Sequence, residues 1–316
     1  MIGYVVRRIL YLVPVALFVS VFVFLMLRLA PGDPAAVIAG NHAMPEDIER
    51  IRIKLGLDLP IHRQFAKWSL GLARGDLGKS IYSGVPVSRL IASKLEPTCS
   101  LATASILIAV IIAVPLGVIA AAKSKTAIDY TVMLIAVLGF SVPVFIIGYL
   151  LIYCFALKWH LFPVQGFVSI SQGLWPFLRS ITLPSLSLGL IYAALIARIT
   201  RASMIEVLSE DYVRTAKAKG LGSFAVICRH AMKNAAVPIV TIIGLGVAML
   251  VGGVVVTESV FNIPGLGRLV VDSVLARDYP VIQGVVLFFS GIFLLINLTV
   301  DISYGLFDPR LRYRRD

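Results

Sequence analysis

The chain of 316 residues is 59% hydrophobic and 15% charged, with a mean hydropathy of +0.92 and a formal net charge of +12. That is far more apolar than a globular domain and excludes an ordinary water-soluble fold. What remains is an all-α integral membrane protein, because in hydrocarbon a helix satisfies its own backbone hydrogen bonds.

Crossing about 30 Å of hydrocarbon takes roughly 20 apolar residues. Six segments qualify, at about 9–29, 98–122, 131–157, 183–200, 236–260 and 280–304, so six transmembrane helices are expected. Arg7 and Arg8 precede the first apolar run as they would in a signal peptide. The run is too long for one and no small-residue cleavage pattern follows it, so residues 1–29 are read as a retained anchor.

Residues 30–97 form a long polar loop, expected to be external, with short helices of its own. Pro45, Glu46 and Asp47 make a helix start, Ile48, Ile51 and Leu55 line one face, and Gly56 ends it. A second helix is expected near Pro60, with Ile61, Phe65, Trp68 and Leu72 at helical spacing and Gly75 beyond. Two such helices bury little alone and must lie on the spans or on a partner. The loop ends in GDLGKS at 75–80, which lacks the first glycine of a phosphate-binding loop, since Ala73 stands in its place.

Residues 98–316 hold the remaining five spans. Within them Gly244, Ala248 and Gly252 recur every four residues, a pattern that lets helices approach closely. Pro14, Pro115, Pro143, Pro184 and Pro238 are candidate bends. Arg28, Arg198, Glu258 and Asp301 lie near span ends, so no relay of ionisable groups crosses the middle as a proton-coupled carrier would require. The sequence NLT at 297–299 falls within the sixth span and is no glycosylation site.

Cys99, Cys154 and Cys228 are scattered and give no disulfide framework. His42, His62, His160 and His230 show no metal-ligand spacing. No Ser/His/Asp set or carboxylate pair suggests catalysis, and no cofactor or metal is expected in this chain.

Lys and Arg gather in alternate loops: Arg7 and Arg8, Lys123 and Lys125, the 201–235 loop, and Arg310, Arg312, Arg314 and Arg315. That side should be cytoplasmic, with both termini on it. The basic charge is thereby explained without nucleic acid. Trp159 and Trp175 suit an aromatic belt at the outer interface.

The 201–235 loop is too patterned for a linker. Glu206, Glu210, Arg214 and Lys217 form a polar stripe, with Ile205, Leu208, Tyr212 and Ala216 opposite. Ala216, Ala218 and Gly220 keep the tip slim, and Ser223 is expected to cap a second helix reaching about Asn234. On pattern alone two readings stay open: a helix that enters a groove on another protein, or one that lies on lipid headgroups.

The stretch EDYVRTAKAKG followed by RHAMKNAAVP resembles the EAA loop of permease subunits of binding-protein-dependent ABC importers, in the dipeptide, oligopeptide and nickel branch. Gly220 matches the motif glycine and Ala216 its second alanine, while Arg214 and Thr215 replace Glu and Ala, and Lys233 stands where the broader motif has proline. VVRRIL, PGDP at 31–34, LGLDLP at 55–60, GDLG at 75–78, FNIPGLGRL and RDYPVIQG are similar to the same branch. The resemblance implies one half of a peptide path in a bacterial cytoplasmic (inner) membrane. It implies a second homologous permease, two ATP-binding cassette subunits that bind the ATP, and a periplasmic or lipid-anchored substrate-binding protein. It also implies that Glu210, Asp211, Tyr212, Arg214, Thr215, Ala216, Lys219 and Gly220 couple to the ATPase. Nickel chelates, glutathione or another small solute are the alternative cargo, and a stand-alone channel or carrier is the remaining alternative.

Overall fold

The computed structural model describes residues 2–29, 34–39 and 44–307. PGDP at 31–34 therefore lies almost wholly outside the described residues, as do His42 and the C-terminal arginines. Among the described residues the regular structure is helical and forms no sheet, with an isolated bridge between Lys79 and Pro86.

Helix α1 (Ile2–Leu29) is followed by the short α2 (Pro34–Ala39), α3 (Pro45–Leu55) and α4 (Ile61–Ala73). α3 and α4 start and stop where their sequence signals lie. Pro45 opens α3, and Gly56 closes it at φ 67°. Gln64 Nε2 then donates to Leu59 O at 2.7 Å and fixes the α3–α4 turn. α4 packs on α1 rather than standing free: the Phe24 ring lies 5.1 Å from Phe65 and 5.6 Å from Trp68. Burial of Phe24, 1% exposed, supplies the apolar contact that a lone short helix lacks.

α5 (Val87–Ala122) and α8 (Leu174–Leu208) are the longest helices and pack along one another. Cβ atoms at Gly117 and Gly189 would stand 2.7 Å from Ala197 O and 2.8 Å from Ser105 O, so two glycines set the approach distance. α8 is the central element, with 72% of its apolar window enclosed against 28–39% for the other three long spans. α5 starts at Val87, well before the expected second span at 98, so the end of the polar loop is part of that helix.

Among the described residues four helices are long and apolar enough to cross a membrane, at Val87–Ala122, Leu174–Leu208, Ser223–Leu250 and Tyr279–Ile302. The expected third span, 131–157, is not one straight rod. α6 (Ala127–Ser141) and α7 (Val144–Leu151), which continues as a π-helix through Lys158, are bent by 102° at Val142–Pro143. Pro143 has no N–H to donate and holds Val142 extended at ψ 126°, so the helix stops and restarts. Pro14, Pro115, Pro184 and Pro238 all lie inside continuous helices. Taken as one span, the bent pair brings the number of candidates to five; α1 adds an apolar stretch, Leu10–Met26, in its described part.

After α9 (Asp211–Ala218), α10 (Ser223–Ala225) runs through a π-helical turn, Val226–Ala231, into α11 (Met232–Val260). The second helix expected in this loop is thus the run-in to α11, and Gly222, not Ser223, is its N-cap. Of the small-residue trio, Gly244 receives Val300 of α13 (Tyr279–Phe307), Ala248 is buried, and Gly252 faces open space. Two of the three positions therefore serve packing within the chain.

α12 (Leu266–Ala276) lies between α11 and α13 at the end of the bundle opposite α9. Its N-terminus receives the buried Glu258 carboxylate, which accepts from Thr98 Oγ1 at 2.6 Å and from the Arg268 N–H at 2.9 Å. A Cβ on Gly265 would collide with that carboxylate. Nearby, Ser80 Oγ donates to Asp278 Oδ2 at 2.5 Å, tying the GDLGKS turn to the start of α13. This serine lies in a turn that anchors the segment between α4 and α5.

Candidate coupling site

The sequence breaks α8 at Ser209, whose hydroxyl donates to Glu206 O at 2.7 Å and competes with the helical ladder. Glu210 is extended, at φ −66° and ψ 147°, and becomes the N-cap of α9. Asp211 occupies the first turn and Lys217 the last, each at the end of the helix that favours its charge.

Gly220 ends the helix. Its N–H donates to Lys217 O at 3.0 Å and the Leu221 N–H to Ala216 O at 3.3 Å, with Gly220 at φ 82°. That pair of bonds is a Schellman motif, which satisfies the last carbonyls and turns the chain back. Gly222 then opens the helix that continues as α11, so α9 is a one-helix bracket between two long apolar helices.

One face of α9 belongs to the chain itself. Val213, 0% exposed, and Ala216, 8% exposed, pack on Val226 and Leu208. Tyr212, expected on that face, is 40% exposed; its hydroxyl accepts from Asn234 Nδ2 at 2.6 Å, bracing α9 on the start of α11. The expected stripe fails because the break at Ser209 and Glu210 shifts the helical phase, so Val213 rather than Tyr212 lies in line with Ala216.

The other face is bare. Glu210, Asp211, Arg214, Thr215, Lys217, Lys219 and Gly220 are exposed, and a Cβ on Gly220 would meet no atom within 4 Å. Arg214 pairs with Asp211, one turn before it, at 3.4 Å. With both side chains solvent-exposed that pair contributes little. Beside the tip stand Leu221, 42% exposed, and Phe224, 81% exposed. Sequence reasoning missed both, because an isolated aromatic in a loop reads the same whether it is buried or presented.

The helix is set on a firm base. Arg201 binds Asp129 through two bonds, the Nη2–Oδ2 one at 2.7 Å, joining the start of α6 to α8 two turns before the break. Met204, Ala231, Ala235 and Ala121 close the bundle beneath it. What the arrangement offers is mechanical: a short rigid helix, locked on one face and free on the other, joined at both ends to long spans.

Residues 113–313 match the family model of the binding-protein-dependent transport system inner membrane component, and residues 1–102 match the model of the N-terminal part of such membrane components. The chain belongs to this family. Among relatives of this inner membrane component, it is 51% identical over 310 residues to a probable peptide ABC transporter permease protein of Sinorhizobium fredii, covering 98% of this chain and 99% of that one. It is 46% identical over 314 residues to a glutathione transport system permease protein of Escherichia coli, covering 99% and 100%. The boundary between the two models falls inside α5, so that single helix joins the N-terminal segment to the transport core.

Of the eight residues expected to couple, the fold brings Glu210, Asp211, Arg214, Thr215, Lys219 and Gly220 onto the free side of α9. Tyr212 is shared with Asn234, and Ala216 is turned inward, where it packs the permease component's own helix in place.

Proposed function

We propose that this chain is the permease subunit of an ATP-driven importer of short peptides, forming half of the path together with a second, homologous permease. The observation that carries the reading is α9: a Schellman-ended helix with one face buried on its own spans and the other unoccupied. A groove on a cytoplasmic ATPase subunit is the surface such a helix fits. Movement of the ATPase would be passed to α8 and α11, because Val213 and Ala216 lock α9 to them. ATP would drive the switch by favouring one arrangement of the assembly over the other. Peptide cargo is supported by the names of both relatives, one a peptide and the other a glutathione permease.

In this reading the chain spans the inner membrane six times, with α1 as first span and the bent α6–α7 pair as third. Residues 30–97 lie outside, where a substrate-binding protein delivers the cargo, and α9 and both termini lie inside, as the positions of Lys and Arg require. The decisive test is uptake by proteoliposomes holding both permeases, two ATPase subunits and the receptor. Peptide should accumulate only when ATP and every component are present. Peptide uptake by this chain alone under an ion gradient would overturn the reading.

A further inference from the structure

We propose that a pocket at the end of the bundle opposite α9 binds the carboxylate-bearing C-terminal residue of a peptide. This rests on the peptide-import reading and narrows it. The pocket, about 420 Å³, lies between the 159–173 loop and the first turns of α8, within the size range of small-molecule sites. Its walls are aromatic, from Phe162, Phe167 and Trp175, and its polar side chains are Gln165, Arg179 and Ser180, the last already engaged with the Val168 N–H and Phe177 O.

The loop is braced before any ligand arrives. The Gly166 N–H donates to Phe261 O at 2.9 Å, and the Val168 N–H to the Ser180 hydroxyl at 3.2 Å. Ser169 Oγ and the Ile170 N–H both donate to Glu96 Oε1, at 2.6 and 3.2 Å. Phe167 stands edge-on to Phe177 at 6.0 Å. The loop is thus pinned to α5, α8 and α11, so a ligand would pay little to order it.

Two polar groups in this frame keep donors in hand. A guanidinium has five N–H bonds in a planar fork that suits a carboxylate. Arg179 Nη2 donates to Leu161 O at 2.8 Å, and no ion pair of Arg179 occurs among the described residues. Glu96, the acid that holds the loop, is spent on Ser169 and Ile170. Gln165 offers an amide that can meet a peptide group, and the Trp175 indole, 71% exposed, forms a rim for an apolar side chain. By contrast, the groove of about 390 Å³ between α5, α6 and α8 is lined by aliphatic and small residues, with no group that recognises a carboxylate.

The probes are Ala-Phe and its C-terminal amide, offered to the assembled importer in nanodiscs without receptor, with equilibrium dialysis as the readout. The acid should bind about tenfold more tightly than the amide. Arg179→Gln should erase that preference, Arg179→Lys should retain part of it, and Trp175→Ala should weaken Ala-Phe more than Ala-Ala. Trp175→Ala removes an exposed ring, so it keeps the test alive if Arg179→Gln loosens the loop. Equal binding of acid and amide to the wild type overturns the proposal, as does an unchanged preference in Arg179→Gln. If Arg179→Gln instead weakens docking of peptide-free receptor and leaves peptide binding intact, the carboxylate belongs to the receptor and the proposal is wrong. Uptake separates the two levels: no peptide uptake by the complete wild-type assembly sinks the import reading, whereas normal KM in both variants sinks the pocket alone.

Discussion

Thr98 and Glu258, 160 residues apart, meet through a 2.6 Å hydrogen bond in the interior, and the same threonine hydroxyl accepts the Leu266 N–H at 2.8 Å. One side chain from α5 and one from α11 therefore hold the start of α12. The Glu258 side chain is 0% exposed, and Gly265 leaves the room it needs. Glu258→Ala should leave the Thr98 O–H and the Arg268 N–H without their acceptor, at a cost of about 3 kcal/mol. Thr98→Val should cost about 1–2 kcal/mol. Thermal unfolding of the purified permease pair checks both, and a melting temperature unchanged in Glu258→Ala would show that the contact is dispensable.

Gly220 is the sharpest probe of coupling. At φ 82° any Cβ strains the Schellman turn by roughly 1 kcal/mol, while the space around it is open. Gly220→Leu should therefore insert and pair normally yet lose ATPase docking and uptake. Lys125→Ala, outside the contact, should be nearly silent. Normal co-purification of ATPase with Gly220→Leu would remove α9 from the coupling role and leave it as a helix on the lipid surface.

Phe224 should separate docking from folding. Its ring is 81% exposed, so Phe224→Ser should change stability by no more than about 0.5 kcal/mol. If the ring enters a pocket on the ATPase, co-purification should fall severalfold. Ala216→Asp makes the contrasting case: it places a charge in the cluster with Val213 and Val226, so it should disorder α9 and raise its protease sensitivity as well as abolish docking. A Phe224→Ser protein that binds ATPase normally would confine the contact to α9.

Membrane sidedness is open to a direct measurement. With Cys99, Cys154 and Cys228 removed, single cysteines at Asp58 and Ser223, both exposed, should differ in labelling by an impermeant thiol reagent on intact cells. Asp58 should react and Ser223 should not. The reverse pattern, or equal labelling, would contradict the orientation drawn from Lys and Arg.

Much of this protein was legible in its sequence because long apolar runs can satisfy their backbone in hydrocarbon only as helices. The two short helices α3 and α4 were equally readable, since Pro45, Gly56 and Pro60 act through local backbone geometry. The same holds for the left-handed Gly220 at the tip of α9. Tertiary structure decided what depends on partners far apart in the chain. Val142–Pro143 could have been a mild kink, as Pro115 and Pro184 are tolerated inside helices, yet here it turns the chain by 102°. Val213 and Ala216 became the seated face of α9 only because Val226 and Leu208 lie against them. Ser80 found Asp278, and Thr98 found Glu258, across separations that no local pattern encodes. Hydropathy and turn chemistry act over a few residues; which helix faces meet, and which buried carboxylate finds which donor, is fixed when the whole bundle packs.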